Sequence, residues 1–447
     1  MIAVVSRSAH GPIFRARVAS TRTAGGSYSA LPAWLVLVGA IIPAAQVQLY
    51  VGGAKFTAGR IGILLLLVPA LIRLFQKDRH GLASDFFVCI VAGWMFAAAY
   101  YTSGMDAISS TAAETLEFLG GYIVARAFFF GPDATYTFTR VLKRVIACIV
   151  LLALADNLSG HLIVQEKFSA VFGGFAPLAP DYRWYWVRAA ATFDHPILLG
   201  AFCATACCIF LFSERRQSSK LFWAGLSLFG CLLALSSAPL LSCSITLALY
   251  VYNALLKRYG WRWHALNLLL GVAVVVILSV ANHPLGWIVS HLTFDPVSGY
   301  FRMLIWDAAI PRILDAPFAG HAFSSLQDDI LDTTVDAAWL VFALRFGIPM
   351  IFFLALSNIA SFLPVRSNFR GTIEDTRLSD LRTGFTIAVA MLMFTGLTVH
   401  YWNYMWIFWG VCIGIRSSLR EFSIYQSRVM GERLELAPAG RPIAQTP

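Results

Sequence analysis

Apolar and polar stretches alternate along the whole chain with the spacing of membrane-spanning helices. A spanning helix needs about 20 mostly apolar residues, and about twelve segments approach that length. Their predicted limits are 31–51, 60–76, 84–103, 112–131, 141–158, 196–213, 220–236, 239–256, 264–282, 337–357, 383–400 and 402–416. The pattern therefore predicts an all-α polytopic membrane protein. Two long loops, 158–195 and 283–336, should lie on the same side of it.

Composition excludes a soluble globular protein. Only 13% of the residues are charged and 58% are hydrophobic, with a mean hydropathy of +0.69, whereas soluble domains carry about 25% charged residues. All 8 cysteines fall inside apolar runs. They are predicted to be small buried side chains rather than a disulfide framework or a zinc site.

The net charge of +10 is explained by topology and not by a nucleic-acid partner. Basic residues collect in the cytoplasmic loops of membrane proteins. With the N-terminus inside, 25 of the 34 Lys and Arg residues fall in cytoplasmic segments and seven in external ones. Both termini are thus predicted to be cytoplasmic: a disordered basic tail at 1–30, without a signal peptide's apolar core, and a tail at 417–447, flanking a transmembrane domain at 31–416.

Polar residues are densest in the two long external loops, and polar matter beside a bilayer is where chemistry is expected. The second loop and the start of the next helix hold Arg302, Arg312, His321 and Asp336. The first holds Arg183, Arg188 and His195 among aromatic residues. Those rings suit the membrane–water interface, or they stack on sugars.

Several short motifs occur in order in these regions. They are Arg188 to Gly200 (RAAATFDHPILLG), Ser236 to Ser242 (SSAPLLS), Arg302 with Trp306, the turn at Pro317 and Gly320, and Val335 to Leu340 (VDAAWL) with Gly347 after it. Their order and spacing resemble those of the lipid-linked polysaccharide polymerase and O-antigen ligase superfamily. Two positions depart from the family pattern. Ala238 stands where the family often has arginine, and Asp336 stands where its ligases carry histidine, which favours a polymerase.

The resemblance implies an enzyme of the bacterial inner membrane with its active face in the periplasm. Such an enzyme joins polyprenyl-diphosphate-linked oligosaccharide repeats into exopolysaccharide or O-antigen by inverting glycosyl transfer, without a metal or cofactor. Its expected partners are the lipid-linked oligosaccharide, a chain-length regulator and a flippase. Ligation of finished polymer to a lipid A core is the alternative within the family. A transporter or flippase is the alternative from another class.

Arginines of the external loops are the candidates for holding the diphosphate. A guanidinium presents a rigid fork of donors that matches phosphate oxygens and stays charged at every working pH. Arg188 and Arg302 are the first candidates, and Arg183 and Arg312 are weaker ones. Anchoring to lipid headgroups or an ion pair is the structural alternative for each.

Three residues are candidates for the base that takes a proton from the acceptor hydroxyl. Asp336 begins a predicted helix, where the dipole also favours a carboxylate as a plain cap. With an ordinary pKa of about 3.9 it is a weak base unless desolvated. His195 and His321 titrate nearer neutrality, but single histidines are often structural.

Two further features bear on metal binding and burial. Asp328 to Asp332 (DDILD) has the DDxxD spacing that holds magnesium diphosphate in prenyl-transferring enzymes, although a solvated acidic loop fits the same letters. No transition-metal site is predicted. Arg345 lies inside an apolar run and should face a polar cavity or a charged partner.

Overall fold

The computed structural model describes residues 28–51, 54–76, 79–280, 296–332, 334–365 and 376–435. Nearly all of the predicted tail at 1–30, the beginning of the predicted loop 283–336 and the end of the tail at 417–447 lie outside these residues.

Helices account for most of the described chain. Their bounds are α1 Leu31–Leu37, α2 Ala58–Leu74, α3 Ala83–Ser103, α4 Ile108–Thr115, α5 Gly121–Phe128, α6 Gly131–Ser159, α7 Ile163–Phe172, α8 Pro196–Ser213, α9 Gln217–Leu233, α10 Ser237–Leu255, α11 Arg262–Val280, α12 Pro296–Asp315, α13 Ala338–Phe346, α14 Ile348–Phe362, α15 Thr376–Thr395 and α16 Tyr404–Glu435. Two small antiparallel hairpins pair β1 (Gln48–Val51) with β2 (Ala54–Thr57) and β3 (Tyr182–Arg183) with β4 (Trp186–Val187).

Helix α8 is the centre of the bundle. Its whole length is buried, and α6, α9, α10 and α15 pack around it. Pro196 occupies its first turn, where a missing N–H costs nothing, and His195 caps it. Small residues allow close packing: a Cβ on Gly200 would lie 3.0 Å from the Pro239 ring. The start of α8 therefore lies against the start of α10.

Four helical stretches of the described chain are long and apolar enough to cross a membrane. They are Ala83–Phe128, Pro196–Ser213, Ser237–Leu255 and Thr376–Thr395. The first contains a break at Gly104, whose φ of +59° ends α3. The chain is thus a helical, membrane-embedded protein, as its hydropathy predicts.

Three of the predicted spans are wrong in detail. Segment 31–51 is no single helix, because helical structure ends at Ala40 and the chain turns into the β1–β2 hairpin. Segment 337–357 is broken into α13 and α14 at Gly347. The last helix does not end at 416 but continues to Glu435, so much of the predicted tail is helical.

Gly347 is required by the break between α13 and α14. Its φ is +79°, and a Cβ there would lie 2.1 Å from the carbonyl oxygen of Phe318. We expect Gly347→Ala to destabilise the protein by more than about 2 kcal/mol, seen as a lower melting temperature in detergent. Gly225→Ala is the matched control, since a Cβ at Gly225 would meet nothing within 4 Å. Equal melting temperatures of the two variants would show that glycine is not required at position 347.

Candidate functional site

The N-terminal end of α8 is where several connections between helices meet. Asn403, between α15 and α16, donates its amide to Oδ2 of Asp194 at 2.6 Å. Oδ1 of the same carboxylate accepts the backbone N–H of Ala45 at 3.1 Å. The hydroxyl of Thr192 donates to the carbonyl of Ala40 at 2.6 Å. We call this end of the bundle the outer face.

Arg183 and Arg188 come together on the outer face. Arg183 Nη1 donates to the carbonyl of Leu235 at 3.0 Å, and Arg188 Nε lies 3.5 Å from the carbonyl of Ala234. Arg183 lies on β3 and Arg188 directly follows β4, and the hairpin brings the two residues close together. Both side chains therefore reach the same turn between α9 and α10. Two guanidinium groups on adjacent carbonyls concentrate positive charge at this turn.

Arg188 also has a carboxylate partner that the sequence did not reveal. Its Nη1 lies 2.5 Å from Oδ2 of Asp181, and its backbone N–H donates to the carbonyl of Asp181 at 2.8 Å. Arg188 is buried, with 6% of its surface exposed, whereas the Asp181 side chain is 56% exposed. The carboxylate of this pair is therefore largely in solvent, while the arginine is buried and held through its backbone as well.

Helix ends add to the positive potential beside these arginines. The first turns of α8 and α10 lie together, as the contact between Gly200 and Pro239 shows. Unpaired N–H groups and the dipole make a helix N-terminus favourable for anions. Ser236 and Ser237, both buried, lie where α10 begins.

The ring of His195 caps the start of α8. Its Nδ1 accepts the backbone N–H of Ile197 at 3.2 Å, which leaves the proton of the neutral ring on Nε2. Burial first, and then the positive charge of Arg188, lower the pKa of His195 to about 4, against the opposing charges of Asp336 and Asp181. Because the basic nitrogen caps α8, the Nε2–H is the group that can reach a ligand.

Asp336 lies within electrostatic reach of His195, since its charge acts on the histidine's pKa. It is half-buried, two residues before α13. Its Oδ1 accepts the hydroxyl of Thr334 at 2.9 Å. The helix cap is Ala337, so Asp336 is not the plain cap that the sequence allowed. The start of α13 is tied to the link after α15, since the N–H of Ala338 donates to the carbonyl of Val399, and the same link contacts Asp194 through Asn403. We call Arg183, Arg188, His195 and Asp336 the outer site.

Arg302 lies on α12, next to the element that carries Asp336. It is 7% exposed and one turn before Trp306. Trp306 belongs to an apolar cluster that joins α12 to α13 through Ala337 and Leu340. The packing places α12 beside the segment of Asp336.

Arg312 and His321 form a separate local arrangement. The His321 ring bonds the carbonyl of Arg312 at 2.8 Å, and the Arg312 side chain lies 3.7 Å from Asp315. The backbone N–H of His321 donates to Leu344, near the end of α13. That end is about 9 Å along the helix from Ala338, at roughly 1.5 Å per residue. The structure therefore does not place either residue with Asp336.

The link between α15 and α16 supplies residues that sequence reasoning missed. The Trp402 ring lies 6.3 Å from the His195 ring and 5.4 Å from the His400 ring. Burial first, and then the positive charge of Arg345, lower the pKa of His400 to about 3. The signal was present in Thr398 to Asn403 (TVHYWN), which the prediction divided between the ends of two spans.

Two ion pairs, one half-buried and one buried, join α13 and α2 to the segment that contains Glu114 and Glu117. Arg345, the charge predicted to need a partner, pairs with Glu114. Arg60 pairs with Glu117 at 2.8 Å, three residues further on. Glu117 lies in a π-helical turn, Leu116–Gly120, a distortion frequent at functional sites.

In the acidic run Asp328 to Asp332, two carboxylates accept hydrogen bonds from nearby backbone N–H groups. Asp332 accepts the N–H of Leu326 at 2.8 Å, and Asp328 accepts those of Ile330 and Leu331 at 3.0 Å each. No group of three or more His, Cys, Asp or Glu side chains suited to a metal ion occurs among the described residues. Turn capping accounts for these two carboxylates.

Acid should destabilise the outer site through His195. An unfolded histidine binds its proton near pH 6.5, whereas the folded one binds it near pH 4. Stability is therefore full above about pH 6.5 and falls by up to about 3 kcal/mol as the pH approaches 4. His195→Asn keeps a capping oxygen and should flatten thermal unfolding measured between pH 7 and 4. His161 is exposed, so His161→Asn should show the same pH dependence of unfolding as the wild type. If His195→Asn were as sensitive to acid as the wild type, the loss of stability would not come from His195.

Neither the scan against protein-family models nor the search of curated proteins found a match for this chain.

Proposed function

We propose that this protein is an inner-membrane polymerase that joins polyprenyl-diphosphate-linked oligosaccharide repeats into exopolysaccharide or O-antigen. The observation that carries the proposal is the outer site. Residues 183, 188 and 195 come from the first external loop and residue 336 from the second, and they lie near the N-terminal ends of α8, α10 and α13. This site combines fixed positive charge, a neutral imidazole donor and a carboxylate. Those are the groups that transfer from a diphosphate donor requires.

The reaction follows from these roles. The acceptor hydroxyl attacks the anomeric carbon of the donor sugar, a new C–O bond forms, and the bond to the diphosphate breaks with inversion. The hydroxyl proton passes to the carboxylate of Asp336. The negative charge that grows on the departing diphosphate is stabilised by Arg188 and Arg183, with the Nε2–H of His195 as a further donor. The reaction as written uses no metal or nucleotide sugar.

Arg302 would hold the donor from the second external loop. It is buried on α12, beside the segment that carries Asp336. The lipid tail would lie along the apolar helices, which brings both reactants to one depth and removes orientation entropy.

We further propose about twelve spans with both termini cytoplasmic and the outer face in the periplasm. Contacts between the ends of helices support this arrangement, because each of the two contacts below joins segments that are predicted to lie on the same side of the membrane. Predicted external segments contact one another, as in the bond from Thr102 to Gly320 at 3.2 Å. Predicted cytoplasmic segments do the same, as in the pair of Lys143 with Glu214 at 2.5 Å. The helix break at Gly347 divides one of these spans.

In-vitro elongation tests the proposal. The purified protein is incubated in detergent with a polyprenyl-diphosphate oligosaccharide, and the products are resolved by mass. A ladder of lipid-linked polymers is expected without any ion gradient. Transfer of preformed polymer to a lipid A core, with no ladder, would instead establish a ligase.

A transporter is the second candidate, and one observation favours it. The half-buried Arg345–Glu114 pair lies beside the broken helix at Gly347, and broken helices that line polar sites occur in carriers. Liposome-reconstituted protein that moves a lipid-linked sugar across the bilayer, and that fails to elongate it, would replace the polymerase proposal.

A further inference from the structure

Asp156 is a fully buried carboxylate that the proposed reaction does not use. It lies near the end of α6 and is 0% exposed. Its Oδ2 accepts the backbone N–H of Ala191 at 2.8 Å, and its Oδ1 accepts that of Val164, in the first turn of α7, at 3.3 Å. The N–H groups of Ile163 and Ala190 also act on this carboxylate. One side chain therefore ties α6 to the start of α7 and to the segment before α8.

The backbone at Ala191 is strained, and Asp156 holds it. Ala191 has a φ of +49°, a left-handed conformation that is costly for a residue with a Cβ. Residues in such conformations persist only where the surrounding structure fixes them, and they cluster at functional sites. Because the N–H of Ala191 donates to Asp156, the carboxylate supplies part of that fixing.

The strained alanine lies within segment 187–195, which carries the second arginine and the histidine of the outer site. The carbonyl of Val187 accepts the side-chain amide of Asn157 at 2.9 Å, and that of Phe193 accepts the amide of Gln165 at 2.9 Å. Asn157 comes from α6 and Gln165 from α7. The two helices that the buried carboxylate joins therefore support this segment on both sides of residue 191.

We propose that Asp156 is a positioning residue of the outer site, which sets the place of Arg188 by fixing the strained backbone at Ala191. The inference rests on the proposed function and deepens it. Arg188 precedes Ala191 by three residues, and its Nε lies 3.5 Å from the carbonyl of Ala234 in the turn between α9 and α10. A shift of the segment would move the guanidinium away from that turn. Misplacement of a binding group by about 1 Å can cost about 100-fold in rate.

A plain cap of α7 is the other role that these contacts allow. A carboxylate at the first turn of a helix is favourable through its hydrogen bonds and the helix dipole. The two roles differ in what happens when the carboxylate is lost. Loss of a cap weakens α7 whichever residue stands at position 188, whereas loss of positioning matters only when Arg188 is present.

A double-mutant cycle on elongation tests the inference, with each rate measured well below the melting temperature of the variant. Asp156→Asn leaves one acceptor oxygen and turns an NH₂ group towards backbone donors. We expect its kcat/KM to fall about 10- to 100-fold. In the Arg188→Gln background the same change should cost less than about threefold, because the group it positions is absent. Asp133→Asn, an exposed carboxylate at the other end of α6, should elongate as the wild type does.

Glycine at position 191 gives a second readout. Glycine adopts a positive φ without the steric cost that alanine bears. Ala191→Gly should therefore raise kcat/KM of Asp156→Asn about fivefold, the left-handed penalty of one residue expressed as a rate, and should leave the wild-type rate unchanged. If Asp156 only capped α7, Ala191→Gly would restore nothing.

Wild-type kcat/KM in Asp156→Asn, or an equal loss with and without Arg188, would overturn the inference. Hydrogen exchange covers a variant that does not fold. The amides of residues 188, 189 and 191 should exchange slowly in the wild type, and fast exchange there would also overturn it. If the wild type builds no polymer ladder, the polymerase proposal fails separately. Positioning is then measured by retention of undecaprenyl diphosphate in native mass spectrometry, which Asp156→Asn and Arg188→Gln should both weaken.

Discussion

Replacing Arg188 by glutamine should reduce kcat/KM for lipid-linked repeats by about 10²- to 10³-fold, the effect of removing one preorganised donor to a developing anion. Arg188 is buried, held by two backbone contacts and aimed at the turn that Arg183 also reaches. Arg188→Lys should recover only part of the rate, because an ammonium group does not reproduce the guanidinium fork. Elongation kinetics in detergent give the measurement.

Asp181→Asn distinguishes binding of the diphosphate from simple support of the hairpin. If Arg188 served only to pair with Asp181, both variants would lose the same activity. We expect Asp181→Asn to keep most of the rate, since the Asp181 side chain is 56% exposed and exposed ion pairs contribute little. Arg312→Gln should also be active, because Arg312 lies with Asp315 and His321 rather than in the outer site. If Arg188→Gln elongated at the wild-type rate, Arg188 would not bind the diphosphate.

Asp336→Asn should lower kcat by about 10²- to 10⁴-fold, the range for loss of a general base, while KM for the donor changes little. The amide has the shape of the carboxylate and can still accept the hydroxyl of Thr334, so thermal stability should not change. Unreacted repeat units should accumulate on the lipid carrier. Single-turnover elongation separates the chemical step from binding.

Asp315→Asn is the matched control for Asp336→Asn. It is an exposed external carboxylate whose partner, Arg312, lies 3.7 Å away, and its loss should leave elongation unchanged. The rate of Asp336→Asn should also lack the low-pH limb that protonation of a carboxylate base produces. If Asp336→Asn had the wild-type kcat, another group would have to be the base.

The sequence predicted the helical class and many helix positions because burial in lipid imposes a length and a composition that can be counted. The span predicted at 196–213 coincides with α8. Its start is marked by Pro196, and its residues are apolar on every side, as a central helix requires. Hydropathy could not locate the turn after Ala40 or the break at Gly347. Both depend on backbone geometry within an apolar run and not on its hydrophobicity.

For the candidate site, the sequence identified residues but not their contacts. The sequence singled out Arg188, His195 and Asp336 by residue type and by position in polar loops. It could not show that Nδ1 of His195 is used as a cap, that His321 bonds the Arg312 carbonyl, or that the Trp402 ring lies beside His195. These contacts depend on the local backbone geometry or on the packing of segments that are distant in sequence.

The sequence by itself determined a helical membrane protein with polar, arginine-containing segments between its apolar runs, because transfer of side chains between water and lipid depends on local composition. Tertiary structure decided which of those segments share a site. Arg183 and Arg188 join His195 and Asp336 only because α8, α10 and α13 begin near one another. Helix packing depends on the shapes of small residues such as Gly200 and on backbone breaks such as Gly347, and these act between parts of the chain that hydropathy treats independently.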